Sequence, residues 1–186
     1  MRGTRPVELL GEYRARGAVE AADVERARGL LGRGADAWDR GTPLHFTASA
    51  LIVHPESSRV LLRWHVRQQA WLHVGGHGDP GETEALAVAL REGVEETGLT
   101  DLAPWPDAAL VHVAVVPVPA STREPAHEHA DLRFLLATGR PDAVRPENPQ
   151  SPLEWLTVAQ ARERTTEANF RETIDRAGSL LEERRR

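Results

Sequence analysis

One stretch of the chain decides its fold: residues 75–99 read GGHGDPGETEALAVALREGVEETGL. Its first seven residues contain four glycines and one proline, a composition that predicts a loop and excludes a regular element. From Glu82 to Thr97 alanine, leucine, glutamate and arginine predominate, which predicts a helix with Gly98 as its C-terminal stop. An apolar stripe is predicted to pack this helix onto a sheet: Leu86, Leu90 and Val94.

Three carboxylates share one face of the predicted helix. Residues at positions i, i+3 and i+4 lie on the same side of a helix, so Glu92, Glu95 and Glu96 project together. Like charges at this spacing repel each other, and acids near a helix C-terminus oppose the helix dipole. A hard cation such as Mg²⁺ removes that cost, because it prefers oxygen ligands and bridges carboxylates to substrate phosphates. Without further context, the same acids would fit a solvated helix face.

The glycine-rich segment before the helix supplies that context. Glycines let the backbone approach phosphate oxygens closely, and a helix N-terminus favours anions. We therefore predict phosphate contacts at Gly75, Gly76 and His77. A phosphate-accepting loop and a metal-binding face on one short element together predict a site for a diphosphate.

These residues resemble the signature of the Nudix (MutT-like) hydrolases, G-x5-E-x7-R-E-U-x-E-E-x-G-U, where U is a bulky aliphatic residue. The order of the predicted strands and the Glu154-Trp155 pair before the last helix also resemble this family. The matching positions are Gly76, Glu82, Arg91-Glu92, Glu95-Glu96 and Gly98-Leu99.

The sequence departs from the signature in two places. Eight residues separate Glu82 from Arg91 where the family has seven, which leaves Glu84 as a competing occupant of the first acidic position. We expect the extra residue at the junction of loop and helix, where an insertion costs little. Gly93 stands where the family has an aliphatic residue, and we expect it to make room for a neighbouring bulky side chain.

The resemblance implies an α/β (α+β) fold, namely a Nudix-type α/β/α sandwich with a mixed β-sheet. It also implies that Glu92, Glu95 and Glu96 bind Mg²⁺ or Mn²⁺, and that Arg91 anchors the loop and these carboxylates. The reaction would be hydrolysis of a diphosphate bond in a nucleoside diphosphate-linked small molecule, by attack of water on phosphorus. Glu82 joins Arg91 and the three glutamates as a candidate catalytic residue.

Several roles stay open at the level of the sequence. Glu92 is the first choice as general base, with a second group on the polar segment from Pro119 to Asp131. A catalytically silent Nudix domain that senses a nucleotide is the alternative function, whereas the isomerases of the family use a cysteine that this chain lacks. Homodimerisation is frequent in the family. The second group of candidate bases is Glu124, Glu128 and Asp131.

Residues 1–40 are predicted to form a helical extension, and residues 41–186 are predicted to form the Nudix domain. Within the extension, Gly17 and Gly29 predict two helices or one helix with breaks. A closing helix is predicted over Val158 to Glu183. The predicted strands are His45–Val53, Val60–Val66, Ala70–Val74, Leu110–Val118, Leu132–Ala137 and Glu154–Leu156.

Two further groups of side chains are candidates for substrate contact. His127 and His129 would face the same way in an extended segment, as a substrate-contacting pair or a metal site, although histidines in polar loops are more often solvated. His45 and His112 are expected to be packed or at the surface. Trp64 and Trp71 could stack on a base or sugar, although aromatic residues in strands more often belong to the core.

Composition narrows the classes of partner. The 186 residues carry a net charge of −5 with acids and bases interleaved, which argues against a nucleic-acid-binding face. The absence of cysteine excludes disulfides and thiolate metal sites. With no apolar segment long enough for a signal peptide or a bilayer span, we expect a cytoplasmic protein without a membrane partner.

Overall fold

The computed structural model describes residues 4–122 and 124–185, with the main chain alone at residues 34–36. Its helices are α1 (Pro6–Glu12), α2 (Ala18–Arg28), α3 (Ala85–Thr97), α4 (Val158–Arg164) and α5 (Ala168–Glu183), with short 3-10 turns at Leu31–Trp38, Pro55–Ser57 and Pro141–Ala143. The strands are β1 (Leu44–His54), β2 (Arg59–His65), β3 (Ala70–Leu72), β4 (Val74–His77), β5 (Ala103–Pro104), β6 (His112–Val118), β7 (His127–Ala137) and β8 (Leu153–Thr157).

The long strand β1 organises a mixed eight-stranded sheet. Along one side it pairs in parallel with β7, from Leu44 opposite Glu128 to Val53 opposite Ala137. Along its other side it pairs antiparallel first with β4 and then, after Ala50, with β2. Strand β2 also pairs with β3 and β8, and β7 with β5 and β6. Nine consecutive residues of β1, His45 to Val53, are buried although three of them are polar, which fits a strand that is covered on both faces.

Helices cover both faces of this sheet. Successive β1 side chains point to opposite faces, so Phe46 joins the core cluster that includes Val88 of α3. Leu51 instead joins the cluster that includes Phe170 and Ile174 of α5. The predicted α/β/α sandwich with a mixed sheet is therefore confirmed.

The N-terminal helices pack into the same core as the sheet. Leu10, Val24 and Leu30 are almost completely buried in the cluster that contains Phe46. Two helices separated by Gly17 are found, as the glycines predict, while the domain boundary at residue 40 stays a prediction. Within residues 4–122 and 124–185, no helix combines the length and apolar character needed to cross a bilayer.

The glycine-rich segment is not wholly a loop, so that prediction was wrong for its first three residues. Strand β4 pairs Gly75 with Ser49, Gly76 with Ala48 and His77 with Thr47. Gly75 has a φ of +143°, and a Cβ added there would lie 2.3 Å from Cβ of Ser49. The absence of side chains is thus what lets β4 approach β1, and composition alone does not reveal that partner.

Strands β1, β2, β6 and β8 differ from the prediction by one or two residues at their ends, and β5 was not predicted, while larger differences concern β7, α3 and the closing helix. Strand β7 begins at His127, so the second half of the predicted polar connection is strand, because β1 and β6 supply hydrogen-bonding partners on both sides. Helix α3 begins at Ala85 and not at Glu82. The closing helix is two helices, since Thr165 adopts an extended conformation between α4 and α5.

The first prediction concerns a buried ion pair that joins α2 to α5. Both side chains of Glu20 and Arg176 are under 5% exposed, and their two contacts are 2.8 and 2.9 Å long. Glu20→Gln removes the buried carboxylate that faces Arg176 and leaves Glu172, which is 47% exposed, as its remaining acidic partner, so the free energy of unfolding should fall by about 3 kcal/mol. Urea denaturation followed by tryptophan fluorescence measures this change. Glu25→Gln is the control, because Glu25 is 70% exposed and its pair with Arg28 contributes at most ~1 kcal/mol.

This pair also gives stability a pH dependence of known sign. Burial raises the pKa of Glu20, but hydrogen bonds from Arg176 and Tyr13 outweigh it and hold the pKa below its usual 4.5. A depressed carboxylate pKa stabilises the folded state above the unfolded value, and that stabilisation is lost as pH falls further. The difference between the native protein and Glu20→Gln should therefore shrink as the pH is lowered below about 4.5. A constant difference down to acid unfolding would contradict this assignment.

The second prediction tests the pairing of β4 with β1. In Gly75→Ala the new methyl group would meet Ser49 and, at 2.7 Å, the carbonyl oxygen of Ala48. We expect the free energy of unfolding to fall by about 3 kcal/mol or more. Gly11→Ala in α1 is the matched control, since nothing lies within 4 Å of its Cβ position and stability should change little or rise by up to ~1 kcal/mol. Equal stability of the two variants in urea denaturation would show that β4 does not pack on β1 in this way.

Candidate functional site

Helix α3 packs on the sheet through its small residues. Val88, Ala89 and Gly93 are buried. Of the predicted stripe, Leu86 belongs to the core cluster and Leu90 packs against it, but Val94 is 37% exposed, so the prediction was wrong at Val94. A Cβ at Gly93 would lie 2.9 Å from Cδ1 of Leu102. This glycine makes room for a bulky neighbour, as the sequence indicates. The packing turns the glutamates near the C-terminus of α3 towards β4.

Glu96 is the most buried carboxylate of the helix. Its Oε2 accepts a hydrogen bond of 3.1 Å from the backbone N–H of Gly75. Its Oε1 lies 3.2 Å from a guanidinium nitrogen of Arg63. Burial raises the pKa of Glu96 to about 7, with Arg63 and the N–H of Gly75 acting in the opposite direction and Glu92 adding to the rise.

Glu92 occupies the space left by the missing side chain of Gly76. A Cβ at Gly76 would lie 2.8 Å from the Glu92 carboxylate, which is itself only 16% exposed. Burial raises the pKa of Glu92, Arg91 lowers it, and the charge of Glu95 raises it again. The negative charge of Glu92 makes ionisation of the neighbouring Glu96 less favourable. A divalent cation bound to both carboxylates would neutralise these charges, so the residues fit the metal that the family resemblance implies.

Arg91 connects the acids to the segment before the helix. One guanidinium nitrogen contacts Glu92 at 2.9 Å and Glu95 at 3.0 Å. The other contacts Glu82 at 3.0 Å and the backbone carbonyl of His77 at 2.9 Å. The anchoring contacts expected of Arg91 are present in the structure. Glu95 is 51% exposed and lies at the outer edge of the group.

The structure separates the two candidates for the first acidic position. Glu82 pairs with Arg91 and accepts a hydrogen bond of 2.7 Å from the backbone N–H of Asp79. Glu84 instead accepts a hydrogen bond from the hydroxyl of Thr4, on the side of the N-terminal extension. The extra residue is accommodated before Ala85, outside the helix, so Glu82 keeps the position that faces Arg91.

A cavity of about 390 Å³ adjoins this group. Gly75 and Gly76 line it and also contact the glutamates of α3, so they join the cavity to the acids. Arg40 and Arg67 lie on its wall, where Arg67 is paired with Glu124 and where Asp131 and Glu167 also lie. Other residues that line the cavity are Thr47, Ser49, His77, His129, Arg133 and Phe170.

The second group of candidate bases is dispersed. Asp131 is buried and accepts hydrogen bonds from Thr47, Ser49 and Arg133 at 2.7–3.0 Å. Burial raises its pKa, but Arg133 and His73 outweigh this, and the pKa of Asp131 lies well below its usual range.

The other two acids of this group form surface ion pairs. Glu124 lines the cavity and pairs with Arg67 at 2.9 Å. Glu128 is bound to Arg26 of α2 and is absent from the cavity lining.

The fold also brings four histidines together. His77 and His129 line the cavity, and beside them lie His127 and His45. His45 is completely buried, which confirms the expectation of a packed residue. Burial lowers the pKa of His77 to about 3 and that of His129 to about 4. His45 could not be assigned from the sequence, because it faces His129 only through the parallel pairing of β1 with β7.

The two tryptophans considered for base stacking pack on each other. The ring centroids of Trp64 and Trp71 are 5.8 Å apart in an edge-on arrangement, and Arg164 lies over Trp71. Neither ring is among the residues that line the cavity. Sequence reasoning missed Arg63, the cation beside Glu96, since nothing in a strand sequence indicates which helix it will meet.

Comparison with known proteins agrees with this geometry. The family model of the NUDIX domain matches residues 43–177. No protein of curated function matches the sequence.

Solved structures share the fold at low identity. An Ap4A hydrolase from C. elegans in a binary complex is 20% identical with a TM-score of 0.59, and the match covers 76% of this chain and 99% of that one. The E. coli dihydroneopterin triphosphate pyrophosphohydrolase is 19% identical with a TM-score of 0.53, covering 72% and 93%. A NUDIX-family hydrolase from Clostridium perfringens is 23% identical with a TM-score of 0.54, covering 74% and 96%. Since the family model spans well over half of the chain and these structures share its fold, the protein belongs to the Nudix hydrolase family.

Proposed function

We propose that this protein hydrolyses a diphosphate bond in a nucleoside diphosphate-linked small molecule, with Mg²⁺ or Mn²⁺ held by Glu92, Glu95 and Glu96. The observation that carries the proposal is the contact of two carboxylates, one buried and one mostly buried, with the two adjacent glycines of β4. Glu96 accepts a hydrogen bond from the backbone N–H of Gly75, and the carboxylate of Glu92 lies against Gly76. The same glycines line the adjoining cavity, so a phosphate there can come close to both acids.

Different residues of the chain have different roles in the proposed reaction. Glu92, Glu95 and Glu96 would hold the divalent metal, which would supply positive charge near the phosphate oxygens and activate a water for attack on phosphorus. Arg91 keeps Glu82, Glu92 and Glu95 in place and fixes the carbonyl of His77, which orients the segment that faces the phosphates. Gly75 and Gly76 bring the backbone close to the phosphates, and His77 offers a side chain at the cavity wall.

Glu92 is our first choice as general base. Its raised pKa brings it closer to neutral pH, where a base acts best, and it adjoins the cavity strand at Gly76. Asp131 is a poorer base because its oxygens already accept several hydrogen bonds and its pKa is depressed. Glu124, which lines the cavity, is the second choice.

The cavity favours a small anionic nucleotide derivative. A volume of about 390 Å³ lies within the range usual for small-ligand sites. Arg40 on its wall complements negative charge. Two similar structures are named for nucleotide-like substrates, Ap4A and dihydroneopterin triphosphate. A cytoplasmic location, a homodimer, and the absence of nucleic-acid and membrane partners stay predictions.

The third prediction tests the acids of α3. Glu92→Gln and Glu96→Gln should each lower metal-dependent turnover by about 100-fold or more, because they remove a metal ligand or the base. Release of phosphate or nucleotide from a panel of nucleoside diphosphate derivatives, nucleoside triphosphates and dinucleoside polyphosphates measures this with Mg²⁺ or Mn²⁺. Glu84→Gln is the matched control, since Glu84 lies just before the same helix and is turned towards Thr4.

The same panel separates the proposal from its alternative. Glu82→Gln should lower turnover while Glu84→Gln should not, because Glu82 alone of the two contacts Arg91. If the native protein binds a nucleotide tightly but turns over none of the panel, with either metal, it is a sensor. Full activity of Glu96→Gln would rule out the proposed metal site.

A further inference from the structure

Four imidazole side chains converge at one end of three adjacent strands. His45 lies near the start of β1, His127 and His129 lie near the start of β7, and His77 ends β4. One ring nitrogen from each of the four lies within 4.8 Å of the others. The closest pairs are Nε2 of His45 with Nε2 of His77, and Nε2 of His127 with Nε2 of His129, each 3.1 Å apart.

Strand register produces this cluster. His45 and His129 are direct partners in the parallel pairing of β1 with β7, and His127 is two residues away on the same face. His77 is the partner of Thr47 on the other side of β1, and Thr47 is on the same face as His45. Because the backbone ladders of three strands hold the Cα atoms, the four side chains are brought together by rigid elements and not by a loop.

The hydrogen bonds of two rings fix their tautomers. Nδ1 of His45 lies 3.0 Å from the carbonyl oxygen of Thr42, and Nδ1 of His127 lies 2.9 Å from that of Pro125. A carbonyl oxygen only accepts hydrogen bonds, so Nδ1 carries the proton in both rings. In the neutral form of each ring, Nε2 then carries the lone pair and faces the other histidines. A backbone carbonyl behind Nδ1 is the usual support of an imidazole that binds metal through Nε2.

The spacing of the nitrogens is close to that of a tetrahedral metal site. Zinc–imidazole bonds of about 2.0–2.1 Å place neighbouring nitrogens about 3.3 Å apart in a tetrahedron. The two close pairs already have a separation of 3.1 Å. The remaining distances between ring nitrogens are at most 4.8 Å, and small rotations of the rings would shorten them to the tetrahedral value.

We propose that His45, His77, His127 and His129 form a binding site for a transition-metal cation of the Zn²⁺ class, separate from the carboxylates of α3. Imidazole nitrogens suit Zn²⁺, Cu²⁺ and Ni²⁺, whereas Mg²⁺ prefers oxygen ligands. A metal at this position ties β1, β4 and β7 together at the wall of the cavity. The site stands on its own geometry and does not depend on the proposed hydrolase reaction.

Local charges set the conditions for binding. Arg40 and Arg67 line the same cavity and repel a cation, while Asp131 of β7 attracts it. An N–H···N hydrogen bond within each close pair is the competing account of the 3.1 Å contacts. That account predicts no metal affinity beyond that of scattered surface histidines.

The fourth prediction is measured on the full chain after treatment with a chelator. Titration with CoCl₂ should produce the intense visible absorption of tetrahedral Co²⁺, and calorimetry with ZnCl₂ should give one tight site per chain. His45→Gln and His129→Gln, tested separately, should each weaken Zn²⁺ binding by about 100-fold. Loss of a residue that only supports a metal ligand can cost that much, and these variants remove a ligand itself. His54→Gln is the matched control, because His54 lies at the far end of β1 and contacts Ser57.

A second variant distinguishes the two metal sites. The triple variant Glu92→Gln, Glu95→Gln, Glu96→Gln should keep the Co²⁺ spectrum and the tight Zn²⁺ site, since the histidines are unchanged. Circular dichroism of each variant checks that it is folded, and the triple variant provides the test even if a histidine variant unfolds. Tight binding that disappears in the triple variant, or no tight binding in the native chain, would overturn the proposal.

Discussion

The close approach of β4 to β1 at Gly75 and Gly76 is the constraint on which the rest of the site depends. Any side chain at Gly75 would collide with Ser49, and any at Gly76 would displace the carboxylate of Glu92. With both side chains absent, the backbone of β4 can pair with the sheet on one side and contact the acids of α3 on the other. Gly75 and Gly76 also form part of the cavity wall. One dipeptide therefore sets the pairing of β4 with β1, the position of the Glu92 and Glu96 carboxylates, and the access of a ligand to them.

The electrostatics of α3 follow from that packing. Burial against β4 makes the charged forms of Glu92 and Glu96 costly, and Arg91 and Arg63 offset only part of the cost. A buried, partly compensated pair of acids is unfavourable in the isolated fold and favourable for cation binding, which is the usual compromise between stability and function at an active site. Glu20 and Arg176 show the contrasting arrangement, because their carboxylate and guanidinium satisfy each other directly and serve to join α2 to α5.

The two groups of proposed metal ligands arise from different structural periodicities. The acids lie at helical spacing along one element, so a single sequence segment contains them all. The histidines lie on three strands, and only the pairing of β1 with β4 and β7 brings them within 4.8 Å of one another. His77 lies where the groups meet, since its ring joins the histidines while its backbone carbonyl accepts a hydrogen bond from Arg91.

The sequence by itself determined the helix that carries Glu92 and Glu96, because helical periodicity and turn composition are local properties. The sandwich fold and the family were implied by the resemblance of residues 76–99 to the Nudix signature. The sequence also indicated the reason for Gly93, which the contact with Leu102 bears out. Only the tertiary structure decided that Gly75 to His77 form a strand, that β7 begins at His127, and that Glu82 and not Glu84 faces Arg91. Each of these depends on a partner far away in sequence, and hydrogen-bonding and steric complementarity between distant segments leave no local pattern to read.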